Sequence, residues 1–138
     1  MDFFAAFRVS ASGLAAQRER VDIATGNLAN AESTRGPDGQ PYRRRDPVLE
    51  AVTFEDALAG AETPAVRVAE VVQDPTPGKR VYQPGHPDAD AQGFVTYPNV
   101  DPVHEMVNLM SASRGYEANA TSFETLKAMA QRALEIFR

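Results

Sequence analysis

The sequence DPVHEMVNLMSASRGYEANATSFETLKAMAQRALEIF, residues 101–137, predicts one long helix. Asp101 is a favourable N-cap, and Pro102 falls at the first helical position, where its missing N–H carries no penalty. From Leu109 onward, one face repeats with alternating spacings of three and four, which is typical of a helix that packs along a narrow stripe. The stripe consists of Leu109, Ala112, Tyr116, Asn119, Phe123, Leu126, Ala130, Ala133 and Phe137.

The N-terminal end of the chain carries a second helical pattern. Its larger apolar residues recur every seven positions and are Phe7, Leu14, Val21 and Leu28. Small residues occupy most of the intervening positions, which would let a partner helix come close. Gln17 and Arg18 interrupt this weaker half of the stripe. The pattern predicts a helix over about residues 2–29.

Both predicted helices are too long, and their stripes too narrow, to be buried in a globule of 138 residues. They must therefore pack on each other or on neighbouring subunits. Alanine is frequent in both and contributes little burial, so we expect a thin core in an isolated chain. A simple antiparallel helix pair in a monomer is the plainer alternative.

Proline divides the chain into three parts. All ten prolines lie between Pro37 and Pro102, which leaves both ends free to form long helices. We assign 1–30 to an N-terminal helix, 31–98 to a loop and short-strand segment, and 99–138 to a C-terminal helix. The predicted fold class is mainly α with a small β-containing middle (α+β), and the two terminal helices pair as an antiparallel coiled coil.

The middle part predicts short strands at 48–54, 66–72 and 93–97. Turn-forming sequences at 74–78 and 84–88 separate the later strands. The proline-containing stretch, residues 37–102, also holds the whole acidic surplus behind the net charge of −5.

Composition excludes several classes of protein. The absence of cysteine removes disulfides, thiolate metal sites and thiol nucleophiles. No apolar run approaches the ~20 residues of a membrane helix, so we expect no membrane insertion. The acidic net charge argues against a nucleic-acid partner. The first apolar run ends at Arg8, so we expect no cleaved signal peptide.

His86, Asp88 and Asp90 form a candidate metal site, because one imidazole and two carboxylates could ligate a divalent ion. Only one other histidine, His104, is present, and the same residues fit a turn in which the Asp side chains bond nearby backbone N–H groups. A catalytic metal site is therefore the weaker interpretation.

Three consecutive arginines, Arg43 to Arg45, follow Tyr42 and could hold phosphate. In an acidic chain, a solvated turn or a patch that meets an acidic neighbour fits them better. No phosphate loop and no nucleophile motif is present. We therefore expect no enzyme activity, no cofactor and no small-molecule substrate.

Asn119 stands out within the C-terminal stripe. A buried Asn at such a position can fix helix register at a cost in stability, and a half-exposed Asn on a rotated stripe is the equal alternative. We predict that Asn119→Leu keeps helicity but disturbs ordered assembly; normal assembly would exclude the register role. Gly26 and Gly115 are expected weak points, at about 1 kcal/mol of helix propensity each.

Several motifs together resemble the flagellar rod and hook protein family, and within it the subunits of the proximal rod. The resemblance extends from about Phe3 to the end of the chain. The motifs are Ser12-Gly13-Leu14, Asn27-Leu28-Ala29-Asn30-Ala31, residues 36–44, 82–90, 93–95 and 98–101, Glu105-Met106-Val107-Asn108-Leu109-Met110, and Ser113-Arg114-Gly115-Tyr116-Glu117-Ala118-Asn119.

The resemblance implies a structural subunit that polymerises helically with copies of itself and other rod proteins, at the base of the rod near the MS ring and the export gate. Such subunits pass unfolded through the flagellar type III export apparatus without a cleaved signal. In the periplasm they form the basal-body rod, which transmits torque and surrounds the export channel. The thin core adds the expectation that the termini of the isolated monomer are largely disordered. A cytoplasmic coiled-coil adaptor, an export chaperone and a small metal-dependent enzyme are the alternatives.

We expect subunit contacts along both helices and in the middle part. The helix candidates are Phe7, Leu14, Val21, Asn27, Leu28, Asn30, Leu109, Tyr116, Asn119, Phe123, Leu126 and Phe137. The middle candidates are Tyr42, Arg43, Arg44, Tyr82, His86, Asp88 and Asp90.

Overall fold

A computed structural model describes residues 3–52 and 65–136 of the chain. The elements are α1 (Phe3–Ala29), β1 (Arg45–Ala51), β2 (Val66–Gln73), β3 (Arg80–Tyr82), β4 (Phe94–Thr96) and α2 (Pro102–Ile136). The mainly α fold with a small β-containing middle is therefore confirmed. As predicted, α2 begins at Pro102, and the Val103 N–H donates to Oδ1 of Asp101 at 2.9 Å. Phe137 lies outside the described residues.

The two helices lie antiparallel along each other. Near the start of α1, Phe7 meets Phe123 edge to face, with ring centroids 4.9 Å apart. Near the end of α1, Asn27 bonds Glu105 in the first turn of α2. The residue numbers on the two helices thus run in opposite directions, as the antiparallel prediction requires.

The seam between the helices is built from small side chains. Within the described parts of the two helices, the buried apolar residues are Ala16, Ala24 and Ala112. The larger heptad residues Leu14, Val21 and Leu28 are only half-buried. A core of this kind removes little apolar surface from water, so the expectation of a thin core holds.

Two short antiparallel sheets form the middle. β1 pairs with β2 from Arg45 opposite Gln73 to Ala51 opposite Val66, with a register shift at Val48/Leu49. This hairpin contacts α1. β1 begins three residues before the predicted start at Val48 and includes a proline, which is tolerated because each strand of a two-stranded sheet is an edge strand. Residues 53 and 54 of the predicted strand lie outside the described part.

The second sheet pairs β3 with β4, from Arg80 opposite Thr96 to Tyr82 opposite Phe94. β4 was predicted, whereas β3 was not, because three residues are too short to show an alternating pattern. Val95 of β4, which pairs with Val81 of β3, is fully buried.

Candidate functional site

The first two turns of α2 carry an apolar face that points away from α1. It consists of Val103, Met106, Val107 and Met110, which are 69%, 50%, 58% and 55% exposed. Their spacing places them on one side of the helix, opposite Ala112, which is 1% exposed in the seam. We call these four side chains the outer apolar face. Exposed apolar clusters on a soluble chain mark interaction sites.

Large apolar side chains are also exposed at the other end of the helix pair. Phe4 and Leu134 are each 72% exposed, and Met129 is 57% exposed. Phe7 and Phe123 pack on each other close by. The helix pair thus closes along a narrow seam and leaves apolar surface at both of its ends.

Asn27 and Glu105 form a buried polar contact between the helices, and each is 1% exposed. Nδ2 of Asn27 donates to Oε2 of Glu105 at 3.1 Å and to the backbone oxygen of Arg45 at 2.8 Å. Oδ1 of Asn27 accepts from the Arg45 N–H and from the Tyr42 hydroxyl, both at 2.9 Å. The amide therefore uses its full hydrogen-bonding capacity and pins the start of β1 to α1.

Arg44 reaches into the same contact. Its Nε donates to Oε1 of Glu105 at 2.6 Å and its Nη1 to Oδ2 of Asp46 at 3.1 Å, and its side chain is 15% exposed. Burial lowers the pKa of Arg44, but the bonds to the two carboxylates outweigh it and raise the pKa overall. The interpretation of the arginine run as a solvated turn does not hold for Arg44, because its side chain is 15% exposed and pairs with the carboxylates of Glu105 and Asp46, whereas Arg43 and Arg45 stay exposed.

Asn99, just before α2, bonds the backbone at Arg44, next to the Arg45 backbone that Asn27 bonds. Its Oδ1 accepts from the Arg44 N–H at 2.9 Å, and its Nδ2 donates to the backbone oxygens of Asp74 and Thr76 at 3.2 and 3.1 Å. The Asp74 N–H in turn donates to the Arg44 oxygen at 2.9 Å. We call Asn27, Tyr42, Arg44, Asn99 and Glu105 the polar joint. It ties both helices to the hairpin.

The polar joint is fully satisfied. Within the described residues, every buried side-chain nitrogen and oxygen has a hydrogen-bond partner. Burial raises the pKa of the Tyr42 hydroxyl, so at neutral pH the group stays protonated and donates to Asn27. A satisfied buried network favours one arrangement of the surrounding segments.

The candidate metal ligands have structural partners instead. Oδ2 of Asp88 accepts from the Thr34 hydroxyl at 2.8 Å, and Oδ2 of Asp90 accepts from Arg80 Nη2 at 2.7 Å. Nδ1 of His86 accepts from the Asp88 N–H at 3.1 Å. Across residues 3–52 and 65–136, no group of three or more such side chains could hold a metal ion. Oδ1 of Asp90 also accepts from the backbone N–H groups of Gln92 and Phe94, as the turn interpretation expects, whereas the Asp88 carboxylate bonds the side chains of Thr34 and Arg35.

The other predicted residues occupy several environments. Leu109 and Leu126 are half-buried in the seam. Tyr116 is 41% exposed, and Tyr82, 62% exposed, packs edge to face on Phe94 with ring centroids 5.3 Å apart. Asn30 donates from Nδ2 to the Gly26 oxygen at 2.8 Å and so caps the end of α1.

Sequence reasoning missed the roles of Glu105 and Asn99. Glu105 could have been found, because it continues the three-and-four spacing one step before Leu109 and thus puts a carboxylate on the packing face of α2. Asn99 gives no comparable local signal, since its partners lie in a distant strand end. No helix among the described residues is long and apolar enough to cross a membrane.

Two protein-family models match the chain where the two helices lie. "Flagella basal body rod protein" matches residues 7–37, and "Flagellar basal body rod FlgEFG protein C-terminal" matches residues 91–136. These two matches place the chain in the class of axial rod proteins of the bacterial flagellum. The antiparallel terminal helices and the exposed apolar face agree with that class.

Relatives that align over nearly the whole chain show which kind of rod protein it is. The flagellar basal-body rod protein FlgC of Salmonella typhimurium is 49% identical over 130 residues, which is 94% of each chain. The FlgC proteins of Aquifex aeolicus and Borreliella burgdorferi are 42% and 40% identical, and each alignment covers 100% of this chain and 99% of the relative. The chain belongs to the FlgC family of flagellar basal-body rod proteins. It is a structural subunit located in the basal-body rod.

Proposed function

We propose that this chain builds the rod by helical polymerisation, with the paired helices as the packing unit and the hairpin segment reaching outward to neighbours. In this proposal residues 1–30 and 99–138 form the rod core, and residues 31–98 form the outer segment. The partners are further copies of this chain and other rod proteins. The observation that carries the proposal is the outer apolar face, since four large apolar side chains on one helix face are otherwise left in water.

The thin seam supports the same function. The helix pair buries mainly alanine between its helices, so the isolated chain gains little stability from its own core. Contacts between subunits would supply the missing burial. The helix candidates named from the sequence that keep exposed surface and the exposed middle candidates such as Arg43 and Tyr82 are the residues that we propose for these contacts. Asn27 is excluded from them, because it is 1% exposed and its amide is fully bonded within the chain.

The polar joint is consistent with a subunit that must transmit torque. A rod that transmits torque must not let its outer segment swing freely against its core. In this chain the bond between Arg44 and Glu105, together with the amides of Asn27 and Asn99, fixes the hairpin to both helices. We propose that the joint keeps the outer segment aligned when the rod rotates.

We also propose that the chain has no catalytic activity and that it passes through the flagellar export apparatus unfolded. In this proposal it lies at the base of the rod near the MS ring and export gate, in the wall of the export channel. The structural use of His86, Asp88 and Asp90 supports a non-catalytic role.

The test places a charge on the outer apolar face in the bacterium that encodes the chain. Val107→Asp should leave the fold of the purified protein unchanged but abolish swimming and intact hook–basal bodies, because a carboxylate cannot enter an apolar subunit contact. Thr121→Asp is the matched control, since Thr121 is also exposed on α2 but lies beyond the apolar face. Wild-type swimming of the Val107 variant, or equal loss in both variants, would refute the assignment of this face.

A further inference from the structure

Two glycines face two amide side chains across the helix pair. A Cβ added at Gly13 of α1 would lie 2.9 Å from Oδ1 and 3.0 Å from Cγ of Asn119 in α2. A Cβ added at Gly115 of α2 would lie 2.9 Å from Cδ of Gln17 in α1. On each helix the glycine comes four residues before the amide, so both features lie on the same side of the helix. The two contacts are therefore reciprocal.

The amides find their hydrogen-bond partners on their own helices. Nδ2 of Asn119 donates to the Gly115 oxygen at 2.9 Å, and Oε1 of Gln17 accepts from Arg20 Nη1 at 2.9 Å. The contact that each amide makes with the opposite helix is therefore one of van der Waals packing against a glycine. Each fills a space that only a residue without a side chain leaves open.

We propose that the Gly13–Asn119 and Gly115–Gln17 contacts, together with the Asn27–Glu105 bond of the polar joint, fix the axial register of the helix pair. The heptad stripe cannot do this alone, because a slip of seven residues again places apolar positions opposite each other. Such a slip moves one helix along the other by about 10 Å. It also moves Asn119 from Gly13 to a position opposite Ala6 or Arg20, where a side chain occupies the space.

Register matters to the rod because every copy must present the same surface at the same height. This step rests on the proposed function, in which the helix pair is the packing unit. A copy with slipped helices would carry its outer apolar face about 10 Å away from the position that its neighbours meet.

The first test exchanges one contact. Gly13→Asn alone and Asn119→Gly alone should each abolish swimming, whereas the double variant restores an amide seated on a glycine and should regain swimming. Gly13→Asn with Gln17→Gly is the mismatched control and should not swim. Gly26→Ala is the control for changing a helix glycine, because no atom of the described residues lies within 4 Å of its added Cβ. Wild-type swimming of Gly13→Asn, or an exchange variant no better than the single variants, would overturn the proposal.

The second test reads register on purified protein and so does not depend on the rod. The chain has no cysteine, so an engineered pair gives an unambiguous disulfide. Phe7→Cys with Phe123→Cys reports the native register, since these side chains are in contact. Phe7→Cys with Ala130→Cys or with Tyr116→Cys reports a slip of one heptad in either direction.

The native disulfide should dominate in the otherwise unchanged sequence and also in Arg44→Met/Glu105→Leu, which removes the charged bonds of the polar joint. Slipped disulfides should appear when Gln17→Ala and Asn119→Ala are added to that double variant. Exclusively native disulfides in that background would overturn the register role. Slipped disulfides accompanied by normal swimming would instead refute the link to rod assembly, so the two failures are distinguishable.

Discussion

Removing the carboxylate of the polar joint should destabilise the chain far more than removing an exposed one. Glu105→Leu leaves the Arg44 guanidinium, 15% exposed, without its 2.6 Å partner. Breaking a buried pair from one side costs about 3–5 kcal/mol. Arg44 keeps Asp46 at 3.1 Å, and that carboxylate is 61% exposed, so some of the cost is offset. We expect a loss of about 2–4 kcal/mol in the free energy of unfolding.

Urea unfolding followed by far-UV circular dichroism measures this loss, at a protein concentration where the helical signal is complete. The double variant Arg44→Met/Glu105→Leu should recover most of it, because neither charge remains buried. Glu50→Ala is the control: Glu50 pairs with Arg67 at 3.0 Å on the surface, where such a pair contributes about 0–1 kcal/mol. If Glu105→Leu costs no more than Glu50→Ala, or if the double variant is as unstable as the single one, the account of the joint is wrong.

Gly26→Ala should stabilise the chain by about 0.5–1 kcal/mol, since its added Cβ meets no atom within 4 Å in the described part of the chain; a loss in urea unfolding would contradict the open geometry there. The Phe94 N–H lowers the pKa of Asp90, so this carboxylate contributes stability above its unfolded-state pKa and loses it as pH falls through the lower folded value. An NMR titration should place that pKa below 3.8, and a value at or above 3.8 would exclude the bond. Dilution of the isolated chain should reduce its helical circular dichroism, because its own core is thin; full helicity at every concentration would contradict the expectation of disordered termini.

The helices could be predicted closely because their signals are local. The N-cap at Asp101, the proline after it and the three-and-four spacing all lie within a few turns of one helix, and α2 begins where they indicate. The same stripes predicted a seam too narrow for a globule, and the structure shows alanines in that seam.

The polar joint could not be predicted because its members come from distant parts of the chain. Asn27 and Glu105 are separated by 78 positions, and no periodic pattern connects them. Arg44 differs from Arg43 and Arg45 only in the direction that its backbone gives it. That direction depends on the hydrogen bonds that the Arg45 and Arg44 N–H groups donate to Asn27 and Asn99, and these form only once the segments have come together.

Gln17 shows how a feature that breaks a sequence pattern can serve packing. In the sequence it interrupts the stripe of small residues, and Gly115 appears as a weak point in the opposite helix. In the structure the two lie against each other, so the interruption and the weak point are the two halves of one contact.

The most direct test of the central claim is to delete the gene and count intact hook–basal bodies by electron microscopy, with swimming scored in the same cells. A structural rod subunit predicts that rod and hook are lost together and that both return when the gene is supplied in trans. Normal basal bodies and normal swimming in the deletion strain would contradict the assignment.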